Sequence, residues 1–169
     1  MSETASVEEH GKKIKDLAGK YLTFALGKEE YGLGILHVRE IIGVMEITAV
    51  PHTSQHIKGV INLRGRVIPV MDLRLRFGMK EQEYNERTCI IVVEVQGLTG
   101  PFQVGMVVDS VSEVLNISAE EIEPAPSLGK DVADAANILG MAKIKGAVKI
   151  LLDIEKVIGK GVVEHFDES

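Results

Sequence analysis

The chain has 169 residues, of which 45% are hydrophobic, 4% aromatic and none tryptophan, and its formal charge is -6 at pH 7. That length allows one domain or two very small ones with a core of Val, Ile, Leu and Met. The negative charge argues against a phosphate-tracking surface, because nucleic-acid affinity rests mostly on Lys and Arg displacing counterions.

No apolar run approaches the roughly 18 residues that span a bilayer, and the N-terminus is polar and acidic rather than signal-like, so a soluble cytosolic protein is expected. Residues 1–18 hold little periodic apolar content and read as a mobile tail. From Lys20 the pattern alternates. Leu22, Phe24 and Leu26 interleave with Tyr21, Thr23 and Ala25, and Tyr31, Leu33 and Ile35 continue after Gly27-Lys28-Glu29, which predicts a hairpin with one buried face. Leu36 to Glu40 reads as a turn into a third strand near Ile41 to Ile47, and Thr53 as the cap of one helical turn ending at Gly59. Val60 to Leu63 and Val67 to Met71 flank Arg64-Gly65-Arg66, where Gly65 supplies the positive φ of a tight hairpin, and Asp72 caps a short helix.

The second half repeats this order, with predicted strands at Thr88 to Val95, Phe102 to Val108 and Val111 to Ile117. Cys89, the only cysteine, excludes an internal disulfide, and its place before Ile90-Ile91-Val92-Val93 predicts a buried structural thiol. Ser118-Ala119-Glu120-Glu121 is a capping box, with Ile117 and Ile122 spaced as a hydrophobic staple. Gly140, Gly146, Val148, Asp153 and Gly159 repeat Gly59, Gly65, Val67, Asp72 and Gly78, while Tyr31-Gly32-Leu33 and Val38-Arg39-Glu40-Ile41 recur as Val104-Gly105-Met106 and Val111-Ser112-Glu113-Val114. The chain is internally duplicated, and the irregular segment after Pro124 (residues 124–136) lengthens the second copy. About five short twisted strands per half leave open edges unless each sheet curls, which predicts a mostly β protein of two small barrels, about 19–80 and 86–158. An apolar layer should join them, and exchange of a strand between them stays open. Residues 159–169 read as a second tail.

The chemistry-bearing residues point away from catalysis. His10, His37, His52, His56 and His165 follow no metal spacing, so no metal or cofactor is expected. Gly32-Leu33-Gly34 lacks the helix and later glycine of a dinucleotide site, and too few aromatics are present to line a proline-helix groove. Glu40 and Arg64 stand at strand ends beside Val38, Ile41, Leu63 and Val67. They read either as a surface ion pair or as charges at the rim of an apolar surface.

Five blocks together resemble a known family: Phe24, Leu26-Gly27 and Glu29-Glu30-Tyr31-Gly32; Ile35-Leu36, Val38 and Glu40-Ile41; Ile57 to Leu73 with its Asn62-Leu63-Arg64-Gly65 core; Val104-Gly105, Val107-Val108-Asp109, Val111-Ser112 and Val114; and Pro124-Ala125-Pro126. Over about residues 20–158 the chain is similar to CheW, the coupling protein of bacterial chemotaxis. The resemblance implies two SH3-like five-stranded barrels and a free-standing, non-enzymatic adaptor. Its partners would be the regulatory domain of the kinase CheA and the cytoplasmic helical-hairpin tip of chemoreceptors in membrane-associated arrays. By the family pattern Val38, Glu40, Ile41, Gly59, Arg64, Val111 and Val114 fall in or beside a receptor-facing groove between barrels, and Ile47, Pro126 and Leu128 on the kinase side. The alternative is a small-ligand or peptide-binding barrel protein of another signalling pathway.

Overall fold

The structure is a computed structural model and describes residues 16–51, 53–124, 137–159, 162, 163 and 166. Within the described residues, and apart from helical positions at 16–17, 162–163 and 166, eleven strands and two short helices follow in order: β1 (Gly19–Leu26), β2 (Glu29–Gly34), β3 (Val38–Gly43), β4 (Ile57–Leu63), β5 (Arg66–Asp72), α1 (Leu73–Arg76), β6 (Cys89–Gln96), β7 (Pro101–Val108), β8 (Ser110–Ile117), β9 (Ile122–Glu123), β10 (Ile138–Ile144), β11 (Ala147–Leu152) and α2 (Ile154–Ile158). Local chemistry accounts for most of the boundaries. Asp72 caps α1 by accepting the N–H groups of Arg74 and Leu75 at 3.0 and 3.4 Å, and Asp153 caps α2 through Lys156 N–H at 3.4 Å. At Ser118 the capping box forms, its N–H donating to Glu121 Oε1 at 2.9 Å, but it starts a three-residue 3-10 turn rather than an α-helix.

Three local expectations are corrected. Ile35–His37 form a 3-10 turn, so β3 begins at Val38 rather than near Ile41. No helical turn follows Thr53. Its hydroxyl donates back to Val50 O at 3.0 Å instead of capping, and Asp72 N–H reaches His56 O at 2.8 Å, which draws the chain straight into β4. Cys89 is only partly buried, its thiol donating to Arg87 O at 3.3 Å.

The strands form a six-stranded sheet, β8-β1-β2-β11-β10-β9, and a five-stranded one, β3-β6-β7-β5-β4. Neither sheet is one half of the sequence. β1 and β2 pair with strands of the second half, while β6 and β7 pair with strands of the first. The exchange obeys the repeat: β1–β8 matches β6–β3, and the parallel pair β2–β11 matches β7–β5. Even the lone bridge Thr48–Val60 has its counterpart in Glu123–Met141.

Three apolar layers result. Ile61, Leu63, Ile68, Val70, Ile90, Val92 and Val107, with Ile42 packed against them, fill the five-stranded barrel. Since all five strands feed this core, the sheet wraps on itself. Tyr21, Ile117, Ile122, Ala142 and Leu151 fill the six-stranded barrel. Between the barrels lies the largest layer, with Leu22, Phe24, Leu26 and Leu33 on one side and Ile91, Val93, Val95, Val104, Met106 and Val108 on the other. β6 thus faces a core on both sides, which is why Ile90 to Val93 reads as an unbroken apolar run. The scarce aromatics are spent here too. Tyr31 stacks between Phe24 and Phe77 at centroid distances of 5.8 and 5.7 Å. Val162 and Val163, within the stretch read as a second tail, are buried in the same layer.

Candidate functional site

β3 and β8 occupy equivalent places in the repeat, and each is the edge strand of its sheet. Val38 and Ile41 are three residues apart, a spacing that in a regular strand puts side chains on opposite faces. A β-bulge removes the conflict. Val38 lies opposite Val93 and Glu40 opposite Val92, so Arg39 is the extra residue, and Ile41 comes to lie opposite Ile91. Val93 and Ile91 both face the inter-barrel layer, and Val38 and Ile41 therefore share that face. β8 carries the equivalent irregularity: Val111 is opposite Phe24 and Val114 opposite Leu22, both facing the same layer. Thr23 holds this second bulge, its hydroxyl donating to Glu113 O at 2.8 Å and accepting Glu113 N–H at 3.2 Å.

The four apolar side chains divide in two. Val38 and Val111 are half-buried and pack on the inter-barrel layer, whereas Ile41 and Val114 are 43% and 51% exposed. Two edge strands thus present, at equivalent positions, an anchored valine and a free apolar side chain at the margin of the layer.

Glu40 and Arg64 do meet. Arg64 Nη1 donates to Glu40 Oε2 at 3.3 Å and Nη2 to Oε1, and the hydrogen bond to Glu40 followed by its charge raises the guanidinium pKa. Glu40 is on β3 and Arg64 at the tip of the β4–β5 hairpin, at opposite ends of the strand order, so the pair bridges the seam where the barrel closes. The tip itself is tighter than the sequence predicts. Arg64 (φ 54°) and Gly65 (φ 85°) both take positive φ, the mark of a two-residue type I′ turn, and Asn62 Oδ1 accepts Gly65 N–H at 2.9 Å. An arginine in this region is uncommon, and nothing in its side chain signals it beforehand.

Gly59 is explained without a partner. Its φ is +146°, and a Cβ there would stand 2.0 Å from Thr48 O, so glycine lets the chain before β4 close against it. Ile47, like Ile42 and Met45, packs against the five-stranded core. Pro126 and Leu128, and the whole 127–136 loop, lie outside the described residues. Among the described residues no three His, Cys, Asp or Glu side chains gather as a metal cluster, and no helix is long and apolar enough to cross a membrane.

Two SH3-like barrels fused through a common layer, with apolar edge strands and a charged seam, define an interaction module. The CheW-like domain family model matches residues 20–161. The chain is 41% identical over 150 residues to the chemotaxis protein CheW of Klebsiella aerogenes, covering 86% of this chain and 87% of that one, and 36% identical over 136 residues to that of Rhizobium meliloti, covering 80% and 84%. The crystal structure of the scaffolding protein TtCheW from Thermoanaerobacter tengcongensis superposes with a TM-score of 0.73 at 34% identity, covering 86% of this chain and 96% of that chain. The chain belongs to the CheW-like family, a family of chemotaxis scaffolds rather than enzymes.

Proposed function

We propose that this protein is an adaptor that couples the cytoplasmic tips of chemoreceptors to the regulatory domain of the kinase CheA and is recruited with them to membrane-associated arrays. The observation that carries the receptor half is the equivalent placement of exposed Ile41 and Val114 beside anchored Val38 and Val111, on edge strands bulged so that all four face one layer. An apolar stripe of a helix fits such a margin, with Glu40 and Arg64 beside it to read polar residues flanking the stripe. Gly59 serves this surface indirectly, by seating the segment next to the seam. The kinase contact is assigned to the end of the five-stranded barrel at Ile47, with Pro126 and Leu128. A pull-down with a receptor-tip fragment and the CheA regulatory domain tests the reading: both should be retained, simultaneously, by the intact protein. Retention of neither would return the alternative of a ligand-binding barrel in another pathway.

A further inference from the structure

Asp109 is the single residue between β7 and β8, where the chain crosses from the five-stranded to the six-stranded sheet. Arg74, on α1 directly after β5, grips it as a fork: Nε donates to Oδ1 and Nη2 to Oδ2, each at 2.7 Å. Asp109 in turn accepts Gly27 N–H at 2.8 Å from the β1–β2 turn, and its own N–H donates to Ala25 O at 3.1 Å. One carboxylate thus ties a helix of one barrel to a turn of the other. A bidentate guanidinium–carboxylate pair is directional as well as strong, and with side chains only 16% and 28% exposed this one is partly shielded from solvent.

The repeat supplies the contrast. The position equivalent to Asp109 is Leu36, which is exposed, and the position equivalent to Arg74 is Glu155, which accepts Gln96 N–H at 3.1 Å instead. Among the described residues only the β7–β8 crossing is held by an ion pair, and Val111 lies two residues beyond it.

We infer that Arg74 and Asp109 are positioning residues for the apolar margin that β3 and β8 present, the groove of the proposed function: they set the angle at which β8 leaves the crossing, and with it the placement of its apolar edge relative to that of β3. This inference rests on the reading of that groove as the receptor-tip site. A cavity of about 310 Å³ lined by Tyr84, Asn85, Arg87 and Thr88 adjoins the pair, so water can reach a neutralised variant and the fold should survive it.

The experiment uses the full chain with Cys89→Ser and spin labels at Val67→Cys and Val148→Cys, equivalent exposed sites on the two barrels. Pulsed dipolar distances are measured with and without Asp109→Asn, alongside affinities for a receptor-tip fragment and the CheA regulatory domain. The expected result is a broadened or displaced distance distribution and a loss of tip affinity of about tenfold, with kinase-domain affinity held within about twofold. Arg74→Gln should do the same, and the double variant no more than either single one. Should Asp109→Asn fail to fold, Arg74→Lys, which keeps the charge and breaks the fork, replaces it. Ile41→Glu is run beside them. If it loses tip binding while Asp109→Asn changes neither distance nor affinity, or changes the distance alone, the positioning role is wrong. If Ile41→Glu binds like the parent, it is the groove reading that fails.

Discussion

The two β-hairpin tips occupy equivalent places in the repeat and are used differently. Arg64-Gly65 and Lys145-Gly146 have nearly the same backbone, with φ of 54° and 85° against 51° and 81°. Glu40 and Glu113 are likewise equivalent on the two edge strands. Arg64 bonds Glu40, but among the described residues no ion pair joins Lys145 to Glu113. The six-stranded barrel is tied inside instead, where Lys149 of β11 pairs with Glu30 of β2, and Glu30 also accepts the Ser112 hydroxyl of β8 at 2.8 Å. Among the described residues, then, the second hairpin tip has no ion pair equivalent to Arg64–Glu40. A pair that the equivalent tip does without, on a side chain that is 71% exposed, is the one expected to take part in recognition.

The largest break of this symmetry is expected at the paired glycines Gly59 and Gly140. Gly59→Ala would force a Cβ to 2.0 Å from a backbone oxygen at a φ that side chains rarely adopt, while at Gly140 the nearest atom, Glu123 O, is 2.9 Å away. Gly59→Ala should cost on the order of 3–4 kcal/mol and Gly140→Ala roughly half that. Urea denaturation of the two variants measures both, and equal costs would show that the segment before β4 gives way more easily than its geometry implies.

Next come the groove residues, where burial revises what the sequence predicts. From the family resemblance and the repeated spacing a charge at Val38 or Val111 is expected to abolish tip binding and spare the fold. Both valines pack on the inter-barrel layer, however, so Val38→Asp should also lose about 1–3 kcal/mol by half-burying a carboxylate. Ile41→Glu and Val114→Glu are the cleaner probes, expected to stay within about 0.5 kcal/mol of the parent while losing tip binding. Melting curves and binding assays on all three variants separate packing from recognition.

Much of this was readable before the fold. The Asp72 and Asp153 caps, the glycine turns and the repeat itself are local, set by φ and by side-chain-to-backbone bonds a few residues apart. Strand exchange was not, because the apolar pattern along β1 or β6 says which side chains face a core but not which strand lies alongside. The same limit hid the bulge at Arg39, without which Val38 and Ile41 would diverge, and the Arg74–Asp109 fork, whose members are 35 residues apart and belong to different barrels.

A smaller effect concerns His56, which has no histidine counterpart in the second half. Burial, followed by the charge of Arg76, holds its imidazole below the ordinary 6.5. The unfolded chain therefore takes up a proton first as pH falls, and stability should decline from about pH 7 downward through the folded pKa. Glu30 and Asp109 do not confuse this window. Hydrogen bonding to Lys149 and Ser112 lowers Glu30 below 4.5; for Asp109 burial pushes upward, but Arg74 and the Gly27 N–H outweigh it and hold the group below 3.8. Both contributions are lost only at still lower pH. His56→Gln should flatten the dependence below about pH 7, and an unchanged slope in denaturation midpoints would assign it elsewhere.

The smallest expected change in stability is at the seam. Glu40→Gln or Arg64→Ala removes an ion pair whose arginine is largely in water, where screening and side-chain entropy leave little net stabilisation, so the denaturation midpoint should barely move. Binding is where the pair should show. If Glu40 and Arg64 read polar residues beside the receptor stripe, either change weakens tip binding, and the difference from the parent shrinks as salt is raised, because exposed charges are screened within about 8–10 Å at ordinary ionic strength. Lys145→Ala, the equivalent change on the other tip, serves as the matched control and should leave tip binding unaltered. A loss at Lys145 equal to that at Arg64 would mean that overall surface charge, and not the seam of the five-stranded barrel, attracts the receptor.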